Sequence, residues 1–399
     1  MKIIIISCVF PPEPVVSASL SFDLATALSK KHEVAVISPT PSRPMGYNFL
    51  GVPQPNYPFR HLVLKSYTHP KSAILGRFRE SYSFGKACAK YISENHNDID
   101  VIYLNTWPLF GQYFAIKAAS KFNIPTILHI QDIYPEAFTQ KLPIFKGFAN
   151  NLLFPLERFI TSRSHHIATI SHGMKKLLRE TRIIPEQKIS VVFNWQDETK
   201  FISESASTIP AYDNPSITFM FLGSLGPVAN ITNLIDAFTL AGLENGKLII
   251  AGEGSEKTML QKRAKDLKCN TIEFINAPSS EAGKIQSTAS VLLLSLKKGA
   301  AGLALPSKLS AYMFSAKPII ASVDADSDTA NAIRDAGCGW VVEPENPAAL
   351  ASRMQQVSSM PTEDLVQMGL NGRDYALQHY SKQANLSKLV SIIEATANT

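Results

Sequence analysis

The chain has 399 residues, of which 45% are hydrophobic and 18% are charged, and it carries a mild formal net charge of +6. This length and composition are typical of a globular protein with two domains, and the absence of a dense Lys/Arg block with interleaved aromatic residues argues against a nucleic-acid partner. The four cysteines are isolated from one another, so the sequence predicts neither a zinc site nor a disulfide framework.

Apolar and amphipathic segments alternate through the first half of the chain. Residues 2–8 are predicted to form a buried parallel strand and not a signal peptide, because the apolar run is short and two prolines follow it. No run reaches the roughly 18 apolar residues of a membrane span, and the expected location is the cytoplasm. Helices are predicted at residues 18–30 and 113–121, and further strands at residues 33–37, 101–103, 126–129, 166–170 and 189–193.

The same alternation restarts after a polar stretch, residues 197–215, which is predicted to be a linker. Alternating strands and helices at this spacing favour parallel sheets covered on both faces. We therefore expect two Rossmann-like domains, residues 1–196 and 197–375, facing a cleft, with a C-terminal helical segment, residues 376–399, that crosses back to the first domain. The second set of strands is predicted at residues 217–221, 247–251, 271–275, 291–294, 318–322 and 339–342, and its helices at 231–241 and 257–265.

A glycine- and alanine-rich loop runs into Pro306, Ser307 and Lys308, where a helix is expected to begin. Small residues let the backbone approach a ligand closely, and a helix N-terminus exposes unpaired N–H groups, so the junction is a candidate anion site. The natural anion is a diphosphate. The alternative is an ordinary loop-to-helix junction, with Ser307 as an N-cap and Lys308 as a solvated lysine.

The order of several motifs resembles the retaining GT-B glycosyltransferases of family 4. The segments that carry the resemblance are ISCVFPPEPVVSASLSFDLATALSK, LHIQDIYPEAF, ISHGMKKLL, FLGSLG, LIIAGEGSEKTMLQKRA and the PSK motif. They span nearly the whole chain. The PSK motif is closest to the subgroup of O-antigen, capsule and colanic-acid transferases that resembles fucosamine transferases. The resemblance implies an N-terminal acceptor domain and a C-terminal domain that binds the nucleotide donor.

The chain departs from the family pattern at two places. The usual Glu-x7-Glu pair, whose second member grips the donor ribose, falls at Leu303 and Ala311. The loop after the strand at 217–221 contains Gly223 and Ser224 but lacks the Arg and Lys that face the diphosphate in the family.

The phosphate cradle that we expect instead uses mainly backbone groups. It comprises the N–H groups of Gly302 and Leu303, the Ser307 hydroxyl, and Lys308 or Lys298 as the cation, with Gly223 and Ser224 nearby. The base of the nucleotide is expected near residues 275–278, where Asn276 could add a side-chain contact.

Polar residues of the first domain are candidates for substrate contacts. Asp132 and Gln131 follow the strand at 126–129, whose carboxyl end is expected to face the cleft. Asp132 would orient the acceptor hydroxyl or the transferred sugar, or would simply cap a helix. Glu13 and Ser17 lie on the first loop, Glu13 as a residue of the site rim and Ser17 as a substrate contact or a helix cap. His129 is expected to be a satisfied core histidine.

No metal or other cofactor is expected. His165, His166 and His172 lie close in sequence, but adjacent histidines on a strand point to opposite faces and carboxylates at ligand spacing are lacking. The resemblance also implies that positive charge and helix dipoles replace a metal ion.

Two basic, aromatic stretches, residues 67–91 and 141–159, suit contact with anionic lipid headgroups, although two ordinary packed helices would look the same. The expected function is transfer of a sugar from a UDP-sugar, favoured over a GDP-sugar, to a lipid-diphosphate-linked saccharide of a surface polysaccharide. The location would then be the cytoplasm or the inner face of the membrane. Two alternatives stay open: a sugar-nucleotide 2-epimerase of the same architecture and a catalytically degenerate binding subunit.

Overall fold

The computed structural model describes residues 1–43, 49, 56–69, 74–105, 109–134, 146–206, 216–300 and 307–398. The chain forms two compact units. The first contains residues 1–192 and 385–399, and the second contains residues 193–384. The domain limits inferred from sequence, at 196/197 and 375/376, remain a prediction.

The first unit is built on a parallel seven-stranded sheet in the order β3-β2-β1-β4-β5-β6-β7. Its central strands are buried along almost their whole length because helices cover both faces. Its strands are β1 (Lys2–Ser7), β2 (Glu33–Pro39), β3 (Arg60–Leu64), β4 (Val101–Asn105), β5 (Thr126–Ile130), β6 (His166–Thr169) and β7 (Ile189–Val191). Its helices are α1 (Val16–Leu28), α2 (Ile74–Asn95), α3 (Phe110–Lys121), α4 (Lys146–Arg163) and α5 (His172–Arg182).

The second unit has a parallel six-stranded sheet in the order β10-β9-β8-β11-β12-β13. Its strands are β8 (Ile217–Leu222), β9 (Gly246–Ala251), β10 (Ile272–Ile275), β11 (Val291–Ser295), β12 (Ile319–Ser322) and β13 (Gly339–Val342). Its helices are α6 (Thr199–Ala206), α7 (Ile231–Ala241), α8 (Lys257–Asp266), α9 (Ala282–Ser287), α10 (Ser307–Phe314), α11 (Asp328–Ala336), α12 (Pro347–Ser358) and α13 (Thr362–His379). A last helix, α14 (Lys382–Ala397), brings the chain back to the first unit from residue 385 onwards.

Successive residues of the central strands pack into different cores, as the twofold alternation of a strand requires. In β8, Phe219 and Phe221 join the cluster with α7 and α12, whereas Met220 joins the cluster with α10 and α11. Apolar residues therefore fill both faces of the sheet, which explains why these strands are continuous apolar runs in the sequence.

The strands predicted from sequence are all present, but one strand was missed and a predicted linker is partly wrong. Edge strand β3 was not predicted, because its half-exposed residues form no apolar run. The predicted linker at 197–215 is wrong in its first half, since residues Thr199–Ala206 form helix α6, which is anchored by buried Phe201. The rest of that stretch, residues 207–215, lies outside the described residues.

Both sheets reverse their strand order at one point, next to β1 and next to β8. Ligands of doubly wound sheets bind at the carboxyl ends of the strands beside such a switch point. In the first unit, Ser7 and Asn105 are paired in register at this place. In the second, the switch point lies between β8 and β11, and the loop after β8 lies there. No described helix is long and apolar enough to cross a membrane.

Candidate functional site

A cavity of about 420 Å³ lies at the carboxyl ends of β8 and β9 in the second unit. Four residues predicted from sequence, Gly223, Ser224, Ser307 and Lys308, come together in its wall. The described residues that line it are Gln196, Phe201, Leu222, Gly223, Ser224, Gly252, Glu253, Ala277, Ala282, Gln286, Ser307, Lys308 and Ala311. Its size suits a small organic ligand.

The two loops that form one wall are locked against each other. The Gly223 N–H donates to the Ala251 carbonyl at 2.9 Å. Gly252 has a φ of +141°, and a Cβ added to it would lie 2.0 Å from the Gly223 carbonyl oxygen. The Tyr312 hydroxyl accepts from the Leu222 N–H at 2.9 Å and donates to the Leu222 carbonyl at 3.0 Å. The end of β8 is therefore held at a fixed place beside the cavity.

Lys308 supplies the positive charge of the cavity. Burial lowers the pKa of its ammonium group to about 8. Its Nζ lies 4.2 Å from the centroid of the Phe221 ring, and no carboxylate pairs with it among the described residues. The alternative of a solvated first-turn lysine is thus wrong. The side chain passes over Gly223, where an added Cβ would lie 2.1 Å from the Lys308 Cε.

The start of α10 is positioned by Gln196, a residue that the sequence analysis missed. Its Nε2 donates to the Ser307 carbonyl at 3.2 Å and to the Ser310 Oγ at 2.9 Å. Ser307 itself is exposed. The methyl group of Ala311 lines the cavity. This is the position at which family 4 enzymes usually have the Glu that binds the donor ribose. No sequence signal would have singled out Gln196, because it reaches α10 across 111 residues.

Three polar side chains that are linked by hydrogen bonds, Lys257, Glu253 and Asn276, lie at the rim of the cavity. Lys257 Nζ donates to Glu253 Oε1 at 2.6 Å and to Asn276 Oδ1 at 2.8 Å. Asn276 is exposed and does not line the cavity, whereas its neighbour Ala277 does. Of residues 275–278, near which the nucleotide base was expected, Ala277 is the one that the described lining contains.

Lys298 does not join this cavity. It is exposed in a turn whose Gly299 N–H donates to the Asp324 carboxylate at 2.8 Å, so Lys308 and not Lys298 is the cation of the wall. Gly302 and Leu303, the predicted backbone donors, lie outside the described residues.

A network of uncharged side chains occupies the switch point of the first sheet. Ser17 Oγ donates to Gln131 Oε1 at 2.8 Å, and Gln131 Nε2 donates to Asn105 Oδ1 at 3.0 Å. The structure therefore brings together the predicted pair Ser17 and Gln131 and adds Asn105, which was not predicted. Asp132 is exposed in the turn after β5, and its catalytic role stays a prediction.

The predicted position of Glu13 at the rim is wrong, because the residue is only 4% exposed. Its Oε1 accepts from the N–H groups of Ser42 and Arg43, both at 2.9 Å, and its Oε2 accepts from the Phe10 N–H at 3.3 Å. Burial raises the pKa of the carboxyl group, and these N–H groups oppose that rise. Glu13 thus joins the loop after β1 to the loop after β2, and its substrate contact stays a prediction.

His129 is a buried core residue, as predicted, with 3% of its surface exposed, but the prediction that its hydrogen bonds are satisfied is wrong for one of its two ring nitrogens. Its Nδ1 is hydrogen-bonded to the Tyr103 hydroxyl, while its Nε2 has no partner among the described residues. Burial lowers the pKa of the imidazole to about 4, so the ring is neutral at physiological pH.

A second cavity, of about 520 Å³, lies between α4 and α5. Arg182 in its wall is already occupied, since its Nε donates to Glu157 Oε2 at 2.8 Å and its guanidinium to the Tyr134 carbonyl at 2.9 Å. Across the described ranges, no three His, Cys, Asp or Glu side chains are grouped so that they could hold a metal ion.

Comparison with known proteins adds family models for both halves of the chain. Residues 18–200 match the model for Glycosyltransferase Family 4, and residues 204–375 match the model for Glycosyl transferases group 1. A curated relative, the probable glycosyltransferase WbjE of Pseudomonas aeruginosa, is 25% identical over 298 residues, which cover 73% of this chain and 72% of the relative.

Solved structures share the fold over almost the full length. Anabaena Alr3699/HepE in complex with UDP and glucose is 15% identical with a TM-score of 0.63, over 99% of this chain and 100% of that one. The lipopolysaccharide outer core galactosyltransferase WaaB is 17% identical with a TM-score of 0.66, over 99% of both chains. These similarities confirm the predicted fold class, α/β with two Rossmann-like domains.

Proposed function

We propose that the chain is a GT-B glycosyltransferase, since a Family 4 match is followed by a group 1 match, and that it transfers a sugar from a nucleoside-diphosphate sugar to a lipid-linked saccharide of a surface polysaccharide. The observation that carries the proposal is Lys308. A half-buried ammonium group without a carboxylate partner among the described residues, in a cavity of ligand size, is complementary to a diphosphate.

UDP is favoured over GDP as the carrier. HepE has been crystallised with UDP and glucose, and it shares the fold of this chain. A surface polysaccharide as the product is supported by WaaB, a galactosyltransferase of the lipopolysaccharide outer core.

We propose that the transfer retains the anomeric configuration, because the acceptor attacks the donor sugar on the same face from which the diphosphate departs. The bond from the anomeric carbon to the diphosphate oxygen breaks, the acceptor oxygen bonds to that carbon, and the acceptor proton passes to the departing phosphate. Lys308 would stabilise the negative charge that develops on the leaving group. In the described lining, the one carboxylate is Glu253, whose Oε1 accepts from Lys257 Nζ at 2.6 Å, and the proposed reaction uses no carboxylate as nucleophile.

In the first unit, we assign the acceptor saccharide to the polar edge that contains Ser17, Gln131 and Asp132. Asp132 is exposed at the carboxyl end of β5, where it could accept a hydrogen bond from a saccharide hydroxyl.

Donor binding is tested by calorimetric titration of UDP and GDP into three proteins: wild type, Lys308→Met and Lys317→Met. Lys317 is a matched control, since burial also lowers its pKa to about 8 but it does not line the cavity. Loss of one charge-assisted contact is expected to weaken UDP binding about 10- to 100-fold in Lys308→Met, with no change in Lys317→Met. Equal UDP affinity of all three proteins would contradict the proposal.

Turnover separates the alternatives. Wild-type protein is incubated with UDP- and GDP-sugars, with and without a polyprenyl-diphosphate-linked saccharide. Nucleotide release that requires the acceptor, with the anomeric configuration of the product determined by NMR, supports transfer. Isomerisation of the sugar nucleotide without acceptor would indicate the epimerase, and binding without turnover the degenerate subunit.

A lipid-linked acceptor calls for contact with a membrane, and we assign this contact to an aromatic surface across α2, α3 and α4. Tyr82, 43% exposed, lies edge-on to the rings of Phe110 and Phe114, with centroids 6.1 and 5.1 Å away. Tyr113 continues the row to Phe159, 5.2 Å away. These five rings define the aromatic surface.

Basic side chains flank the aromatic surface. Lys86 Nζ lies 4.9 Å from the Tyr82 centroid, Lys117 Nζ 5.5 Å from the Tyr113 centroid, and Arg163 Cζ 5.9 Å from the Phe159 centroid. Rings with a flanking row of cations are complementary to the interface of an anionic bilayer.

Vesicle co-sedimentation tests this assignment. The chain is expected to bind vesicles that contain phosphatidylglycerol more tightly than pure phosphatidylcholine, and to lose that preference in Lys86→Glu/Lys117→Glu or at high salt. An unchanged preference in the double variant would contradict it.

A further inference from the structure

The side chains at the switch point of the first sheet form one continuous chain of hydrogen bonds. Asn105 is the last residue of β4 and only 5% exposed. Its Nδ2 lies 2.9 Å from Ser21 Oγ and 3.4 Å from the Ser17 carbonyl oxygen, and its Oδ1 lies 3.0 Å from Gln131 Nε2. Asn105 therefore connects the start of α1 to the turn after β5.

The far end of this chain fixes the direction of every bond. Ser7 Oγ lies 2.6 Å from the Val9 carbonyl oxygen, which can only accept, so the single Ser7 hydroxyl proton is used there. Ser21 Oγ lies 2.8 Å from Ser7 Oγ and must therefore be the donor. With its own proton used, Ser21 can only accept from Asn105.

The orientation of both amides follows. The Asn105 NH2 group faces Ser21 and also the Ser17 carbonyl, which is a second obligate acceptor, so Oδ1 faces Gln131. Gln131 must then direct its NH2 group at Asn105 and its Oε1 at Ser17. The Ser17 hydroxyl consequently donates to Gln131 Oε1.

This arrangement leaves one donor and one acceptor unused, side by side. One N–H of Gln131 and the lone pairs of Ser17 Oγ have no further partner in the part of the chain that the structure describes. Both residues are half-buried at the carboxyl edge of the sheet. Neighbouring hydroxyl groups of a pyranose are the chemical complement, since one can donate to Ser17 while the next accepts from Gln131.

We propose that Asn105 is a positioning residue that fixes the polarity of a hydroxyl-binding pair, Ser17 and Gln131, for the acceptor saccharide; the choice of acceptor rests on the proposed function. A pair of fixed polarity discriminates against a sugar that lacks one of the two hydroxyls, because a half-buried polar group is then left unpaired. If the Gln131 amide were free to turn, it could offer oxygen or nitrogen and would accept either pattern.

The test measures discrimination and not binding alone. Saturation-transfer NMR on the full chain gives the affinity of methyl glycosides of glucose, galactose, mannose and fucose and of their single-deoxy analogues. Wild type is expected to bind at least one glycoside about five- to tenfold more tightly than one of its deoxy analogues. Ser17→Ala removes the acceptor and is expected to bind the two equally, while Ser17→Thr keeps the hydroxyl and the preference. Ser19→Ala, a change at an exposed serine of the same helix, is the matched control.

Asn105→Leu is expected to reduce the preference although Ser17 and Gln131 are intact, which a purely structural role would not do. If this variant does not fold, Asn105→Ala decides, because it removes the amide that orients Gln131 without adding bulk at this buried position. Absence of glycoside binding by wild type, or a full preference retained in Ser17→Ala or in the folded Asn105 variant, would overturn the proposal. UDP titration of the same samples reports on the second unit, so failure of the donor assignment is recognised separately.

Discussion

Replacing Lys308 by methionine is expected to make the unliganded protein more stable while it weakens donor binding. Burial holds the pKa of the ammonium group at about 8, compared with 10.5 for an ordinary lysine. At 1.36 kcal/mol for each pKa unit, this displacement corresponds to a penalty of about 3 kcal/mol for keeping the charge in the unoccupied cavity. Methionine has a similar length and carries no charge, so it avoids the penalty.

The pH dependence has a defined sign. Between pH 8 and 10.5 the unfolded chain binds the lysine proton and the folded chain does not, so the stability of the wild type rises with pH in this window. The advantage of Lys308→Met is therefore complete below pH 8 and disappears by about pH 10.5.

Thermal unfolding followed by circular dichroism measures the effect. A difference of about 3 kcal/mol should raise the melting temperature of the second unit by roughly 6–12 °C at pH 7. Lys317→Met should behave similarly, because Lys317 is 5% exposed and burial together with the charge of Arg373 lowers its pKa to about 8. With saturating UDP the advantage should shrink by about 1.4–2.7 kcal/mol for Lys308→Met alone, because a ligand that binds the variant 10- to 100-fold more weakly stabilises it less than the wild type.

Two outcomes would refute this reasoning. A Lys308→Met variant that melts below the wild type at pH 7 would mean that the lysine charge stabilises the empty cavity. A variant that gains the same stabilisation from UDP as the wild type would mean that the diphosphate is held elsewhere.

Two further perturbations test the cavity and the first unit. Gly223→Ala should weaken UDP binding at least tenfold in calorimetry, because the added methyl group would lie 2.1 Å from Lys308 Cε; Gly242→Ala, also at positive φ but with nothing within 4 Å, should leave UDP affinity unchanged. His129→Asn should flatten the loss of thermal stability of the first unit on acidification from pH 6.5 to 4, because the imidazole pKa is lowered to about 4 in the folded chain and the unfolded chain takes up the proton first. If the variant lost as much thermal stability as the wild type between pH 6.5 and 4, protonation of the His129 ring, beside Tyr103, would not limit stability in acid.

Local sequence was sufficient for most of the secondary structure. Runs such as residues 291–294 are apolar throughout because helices cover both faces of a parallel sheet, and this pattern is visible without the fold. The edge strand Arg60–Leu64 escaped prediction because one neighbour and partial exposure leave no such pattern. Helix Thr199–Ala206 escaped because its polar composition resembles a linker and its anchor, Phe201, is a single residue.

The candidate site was also predictable only in part. The PSK junction and its lysine were recognisable because a glycine-rich loop before a helix is a local feature. The environment of the lysine was not, since the pKa of Lys308 depends on Phe221 and on a cavity wall drawn from distant segments. Glu13 was misplaced for the same reason, because its N–H partners lie 29 and 30 residues away.

The sequence by itself predicted the two Rossmann-like halves, the resemblance to family 4 glycosyltransferases and the lysine of the cavity wall, since periodicity and short motifs are properties of contiguous residues. Only the tertiary structure determined which polar groups already have hydrogen-bond partners and which remain available to a ligand. Asn105, Ser17 and Gln131 are separated by up to 114 residues, and the direction of their hydrogen bonds follows from Ser7 and Ser21, which no motif connects to them. The polarity of a site depends on where each proton is already used, and that is set by packing across the sheet.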